Sequence, residues 1–120
     1  MNYQHRELAA GRWFELTFFD QMANIGSEVE RAISWHERGN AAHSERALER
    51  ALELMELTIE DARNRKRLKE LTRVREALLD YFYADNQYGS SDKLWRSYFY
   101  AFAYAARNRT LKARESREGG

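Results

Sequence analysis

Phe18, Met22, Ile25, Val29 and Ile33 follow one another at intervals of four, three, four and four, the spacing that gathers side chains on one face of an α-helix. Polar residues fill most of the positions between them, so this segment predicts an amphipathic helix. Thr17 and Asp20 stand at capping-box spacing, but Trp13, Phe14 and Leu16 are apolar as well, which leaves the start anywhere between Gly11 and Thr17. Gly39 can take the left-handed conformation that closes a helix, and Asn40 can cap the next one through its side-chain oxygen. A tight helical hairpin follows from that pair. The second helix is expected from Ala41 to Glu60, with Ala47, Leu48, Ala51, Leu52, Leu54, Met55, Thr58 and Ile59 on a broad apolar face and Leu57 partly outside it. A face this wide implies more than one neighbour, either a central place among the helices or a share in a subunit interface. Asp61 or Asn64 then caps a third helix with a stripe of Leu68, Leu71, Val74, Leu78 and Phe82, ending near Asp85. The run from Asn86 to Asp92 has loop chemistry, with Ser90 or Ser91 as N-cap, and a fourth helix extends from Asp92 to Arg107 or beyond. Four amphipathic helices with short connections predict an all-α fold, an up-down-up-down antiparallel four-helix bundle in a single domain spanning residues 1–120. Residues 1–12 and 108–120 are expected to be frayed or disordered, the latter because Leu111 is their one large apolar residue and they end in Gly-Gly.

Composition narrows the chemistry. With 43% hydrophobic and 32% charged residues among 120, the chain is too apolar for a disordered segment and too charged for a membrane span. The start, Met1 to Glu7, has no signal-peptide core, which makes the cytoplasm the expected location. Zero cysteines exclude disulfides, thiolate metal sites and a cysteine nucleophile, and zero prolines agree with helix. The three histidines, His5, His36 and His43, have Asn2, Ile33 and Asn40 three places before them, so the Glu-x-x-His pairs of a bundle di-iron site are missing. Gly26 and Gly39 are too isolated to cradle a phosphate. No metal and no cofactor is expected.

Charge adds the main functional clue. The net value of +1 hides a division: residues 1–62 hold six Lys or Arg against twelve Asp or Glu, whereas residues 63–120 hold fourteen against seven. Arg63, Arg65, Lys66, Arg67, Lys69, Arg73 and Arg75 crowd thirteen positions that contain one acid, Glu70, and Arg107, Arg109, Lys112, Arg114 and Arg117 form a second group. A basic ridge with a basic tail is a phosphate-contacting pattern, which makes Arg63, Arg65, Lys66, Arg67, Lys69, Arg73, Arg107, Arg109 and Lys112 the candidate nucleic-acid-binding residues. The competing reading is that the basic hairpin pairs with the acidic hairpin of its own bundle or of a neighbouring subunit. Aromatic residues fill six of the ten positions from Trp95 to Tyr104. Trp95, Phe99, Phe102 and Ala106 form one stripe, Leu94, Tyr98, Ala101 and Ala105 an adjacent one, and Tyr100 and Tyr104 lie on a different side. Trp95, Tyr98, Tyr100 and Tyr104 are therefore the candidate residues of an interface between copies of the chain.

Catalytic signals are few. Arg31 with His36, and Arg38 with His43, have the arginine-to-histidine spacing of HEPN ribonucleases, but Ala32 and Gly39 stand where that family carries a polar residue after the arginine. His36 is otherwise placed as a helix-terminal histidine favoured by the dipole.

Ile25-Gly26-Ser27-Glu28-Val29, the run from Arg46 to Leu54, and Arg67-Leu68-Lys69-Glu70-Leu71 resemble segments of short uncharacterised bacterial proteins, over residues 13 to 106. In size and helix count the chain also resembles the four-helix accessory proteins of diversity-generating retroelements and those encoded within ribosomal RNA intervening sequences. That second resemblance implies a ring-like oligomer that binds nucleic acid and a reverse transcriptase, although the acidic first half departs from the more uniformly basic surface of those proteins. Taken together, the expectation is a non-catalytic homo-oligomeric adaptor whose basic second hairpin contacts RNA or DNA. The alternative is a protein-binding scaffold without a nucleic-acid role; a HEPN-like ribonuclease is more distant. No membrane partner is expected.

Overall fold

The computed structural model describes residues 11–118, which measure 52 × 30 × 27 Å along their principal axes. They are helical and loop in structure, with no strand among them. Residues 11–13 form a helical turn, and the chain then bends through residues 14–16 into α1, Phe18–Glu37. The Thr17 hydroxyl accepts a hydrogen bond from the Asp20 backbone N–H at 3.1 Å and donates one to the Asp20 carboxylate at 2.8 Å, which fixes the helix start at the capping pair. Met22, Ile25, Val29 and Ile33 are buried as their spacing requires.

Gly39, at φ +77°, closes α1, with its N–H bonded to the His36 carbonyl and the Asn40 N–H bonded to that of Trp35. The Asn40 side chain accepts from the His43 N–H and starts α2, Ala41–Glu60. At the hairpin crossing the Ser44 hydroxyl donates to the Ala32 carbonyl at 2.7 Å, so two small residues and a hydroxyl bring the helices close. Leu57, expected partly outside the apolar face, is buried at 2% exposure. The reason is that α2 packs on α1 along one side and on the next helix along another.

A short 3-10 segment, Ala62–Arg67, precedes α3, Leu68–Tyr83, where continuous helix was expected. Asp61 caps the 3-10 turn by accepting from the Arg63 N–H, while the Asn64 side chain is drawn inward and does not cap α3. Leu71, Val74 and Leu78 are buried, but Leu68, at the outer edge of the stripe, is 37% exposed. The loop after α3 is held by the Asp80 carboxylate, which accepts from the N–H groups of Gln87 and Tyr88, and by the Ser91 hydroxyl, which caps α4 at Leu94.

Helix α4 spans Asp92–Glu118. The helix runs through residues 108–118, over which a frayed end was expected. Gly119 is the first glycine after Gly89, and the arginines, alanines and lysines in this stretch favour helix in the absence of a breaker. Residues 119–120 and the expected loose residues 1–10 lie outside the described residues, and Gly11 and Arg12 belong to the first helical turn. Trp95 and Phe99 of α4 pack into the same core as Met22, Ile25, Met55, Leu71 and Leu78. Among the described residues no helix is long and apolar enough to cross a membrane.

Candidate nucleic-acid interface

The basic segment is mounted on a buried polar network. Gln21, fully buried, donates through Nε2 to the Trp13 carbonyl at 3.0 Å and to the Asp61 carboxylate at 2.9 Å, and its Oε1 accepts from Asn64 Nδ2 at 2.9 Å. Asn64 Nδ2 also donates to the Thr58 carbonyl, and the Trp13 indole N–H donates to the Thr58 hydroxyl. Asp61 holds the Arg63 guanidinium through Nε and Nη2, and Arg63 Nη2 reaches on to the Leu16 carbonyl. The Arg63 hydrogen bonds, against the opposing effect of burial and with help from Gln21, lower the Asp61 carboxyl to about 2 and raise Arg63 above its ordinary value. Gln21, Asn64, Asp61, Thr58 and Trp13 thus tie the segment after α2 to α1 and to the first helical turn through buried hydrogen bonds. Asp61 and Asn64 are legible in the sequence as capping residues. Gln21 is the residue that sequence reasoning missed, and its signal was available: it falls three after Phe18 and four before Ile25, on the apolar stripe itself.

With Asp61, Asn64 and the network turned inward, Arg65, Lys66, Lys69 and Arg73 point out. All four are exposed, and the ion pairs of the described residues involve Arg31, Arg50, Arg63, Arg75 and Arg96 instead. Among the described residues the acidic first half engages the basic second half through three cations, Arg63 with Asp61, Arg75 with Glu56 at 3.7 Å and Arg96 of α4 with Glu30 and Glu37, and Arg65, Lys66, Lys69 and Arg73 are not among them. Within the first hairpin Glu28 pairs with Arg31 and Arg50, and the hold of Glu30 and Glu37 raises the Arg96 guanidinium further. Two of the predicted phosphate contacts are already occupied. Arg63 is held by Asp61, and Arg67 lies over the Phe18 ring at 4.1 Å.

That last contact decides where the second basic group sits. Phe18 meets Phe102 of α4 edge-on at 5.7 Å, so the start of α3 and the middle of α4 share one end of the molecule. Arg107 follows Phe102 by five residues, about 7.5 Å along the helix, and Arg109 and Lys112 continue outward, all three exposed. Two cationic groups some forty positions apart in sequence are brought to the same end. Arg65, Lys66 and Lys69 also stand at the positive end of the α3 dipole, an unfavourable placement that bound anions would offset.

The predicted interface residues divide. Trp95 is corrected: at 6% exposure it belongs to the core, stacked with Phe99 at 6.0 Å, because the face of α4 turned to α1 carries this stripe. Its indole N–H is buried and meets no acceptor. Tyr98 is half-buried against Trp95, Phe99 and Phe102, and its hydroxyl faces Glu70 at 3.3 Å; burial first, then that carboxylate, pushes its pKa up. Tyr100 and Tyr104 are 61% and 55% exposed, their rings stacked at 6.5 Å. The arginine and histidine pairs do not converge: Arg31 is held by Glu28, and Arg38 and His43 both rest on the Trp35 ring. No family model, curated protein or solved structure matches the chain.

Proposed function

We propose that the chain is an up-down-up-down four-helix bundle acting as a non-catalytic, homo-oligomeric adaptor that contacts RNA or DNA through its basic end. The observation that carries this reading is the exposed set Arg65, Lys66, Lys69 and Arg73, without carboxylate partners among the described residues and on the same end as Arg107, Arg109 and Lys112. Cations that balanced the acidic hairpin of their own chain would be paired with it. The bundle topology is supported by pairings that run antiparallel from each helix to the next: Ser44 to Ala32, Arg75 to Glu56, and Tyr81 to Asp92 with Tyr98 to Glu70. Self-association is supported by the exposed Tyr100, Tyr104 and Leu111 along α4.

The test is the salt dependence of RNA and DNA binding. Replacing Arg65, Lys66, Lys69 and Arg73 with Gln is expected to weaken binding almost independently of sequence and to flatten the salt slope by about 0.7 to 0.9 per lost contact. Stability should be unchanged or slightly raised, by a few tenths of a kcal/mol, because cations leave the positive end of a helix. Absence of wild-type binding at low salt removes the nucleic-acid role and leaves the protein-binding scaffold, which the exposed aromatic and leucine side chains favour.

A further inference from the structure

Helices α3 and α4 pack less closely on each other than α1 does on α2 and α4. The gap is a groove of about 800 Å³ with Val74, Ala77, Leu94 and Trp95 among the residues that line it. It runs on past Arg73, Val74 and Tyr98 into a second hollow of about 490 Å³ lined by Lys66 and Lys69. The two together extend from Lys66 in the 3-10 segment along α3 to Ala77, about 16 Å or three helical turns. Leu94, at 58% exposure, stands at its apolar end, and the unpaired cations Lys66, Lys69 and Arg73 stand at the other.

We infer that this groove docks an amphipathic helix of a partner protein, its aliphatic side chains on Val74, Ala77 and Leu94 and its carboxylates toward Arg73, Lys69 and Lys66. The charge arrangement selects the partner. The rim also holds the carboxylates of Glu70 and Glu76, each accepting from a tyrosine hydroxyl, which offset two of the three cations Lys66, Lys69 and Arg73 and leave the groove with a net positive charge concentrated at its Lys66 end. Its lining favours protein over nucleic acid. The Tyr98 ring is committed to Trp95, Phe99 and Phe102, and the exposed Tyr88 is a single free ring at the rim, so the groove offers aliphatic Val74, Ala77 and Leu94 and no series of aromatic faces for successive bases to stack on. Leucine-type anchors at helical spacing fit a cleft between two helices of this length. The groove goes beyond the basic-end reading but shares Lys66, Lys69 and Arg73 with it, so the helix and a nucleic acid would compete for those cations.

The experiment measures binding of a dye-labelled synthetic helix of about five turns, leucine on one face and glutamate on the other, to the full chain by fluorescence anisotropy. Binding is expected, with Leu94→Glu weakening it by about tenfold or more and Arg73→Gln weakening it less and reducing its salt dependence. Leu94 is exposed enough for the fold to survive, which circular dichroism checks. A lysine counterpart of the peptide, and one with its leucines scattered round the helix, should bind poorly. Equal binding of the scattered peptide, or wild-type binding that Leu94→Glu leaves untouched, overturns the inference. So does a Leu94→Glu variant that turns an oligomer into a monomer, since a second copy then fills the groove, or one that loses RNA binding, since nucleic acid then does. RNA retention of the wild type with no peptide binding sinks this proposal alone; the reverse sinks the basic-end reading alone.

Discussion

Asp61 shows how one side chain links the core to the surface. It accepts from buried Gln21 on one side and grips half-exposed Arg63 on the other, so the basic segment cannot shift without breaking a buried network. Its carboxyl sits at about 2 in the folded chain against an ordinary 3.8. A depressed folded pKa means stability that is fully present above the unfolded value and lost as pH falls from about 4 toward 2. The share is about 1–2 kcal/mol once the exposure of Arg63 is allowed for. Urea unfolding between pH 5 and pH 2 should therefore show a steeper loss for wild type than for Asp61→Asn. Equal slopes in the two proteins would mean that the Arg63 contact does not hold the carboxylate in solution.

At the scale of the element, Gly26 sets how α4 lies on α1. A Cβ there would stand 2.6 Å from the Cβ of Phe99, a separation that real contacts do not allow. Alanine favours helix over glycine by about 1 kcal/mol, yet Gly26→Ala is expected to destabilise by about 1–3 kcal/mol, because the close neighbour is the root of a side chain and relief needs a backbone shift. Thermal or urea unfolding checks the sign, and a more stable variant would show that the two helices are further apart in solution. Helix bounds, by contrast, were legible in the sequence nearly throughout, since Thr17, Gly39, Asn40, Asp61 and Ser91 act through contacts no more than five residues away. The 3-10 turn was not, because it depends on Asn64 reaching Gln21, forty-three positions earlier.

On the scale of the whole molecule, the aromatic wealth of α4 exceeds what its own core absorbs. Trp95 and Phe99 are buried while Tyr100 and Tyr104 stack on each other in solvent. Sedimentation at high micromolar concentration is expected to show a dimer or larger, shifted toward monomer by Tyr100→Lys with Tyr104→Lys. Sedimentation that the double variant leaves unchanged would take these tyrosines out of any interface.

Local pattern alone establishes that the chain is helical, where most helices start and stop, and that its charge is divided between two halves. Those properties follow from spacing of three and four, from caps and from composition, all of which act over a few residues. Tertiary structure decided which charges are free. Arg63 and Arg67 look the same as Arg65 and Lys66 along the chain, but Asp61 holds the first and the Phe18 ring lies under the second. It likewise decided that Arg107 stands near the α3 cations, that Trp95 lies inside while Tyr100 lies outside, and that a groove stays open between α3 and α4. Each of these depends on how one helix is rotated and placed against another, and helix packing is fixed by side chains that meet from distant parts of the sequence.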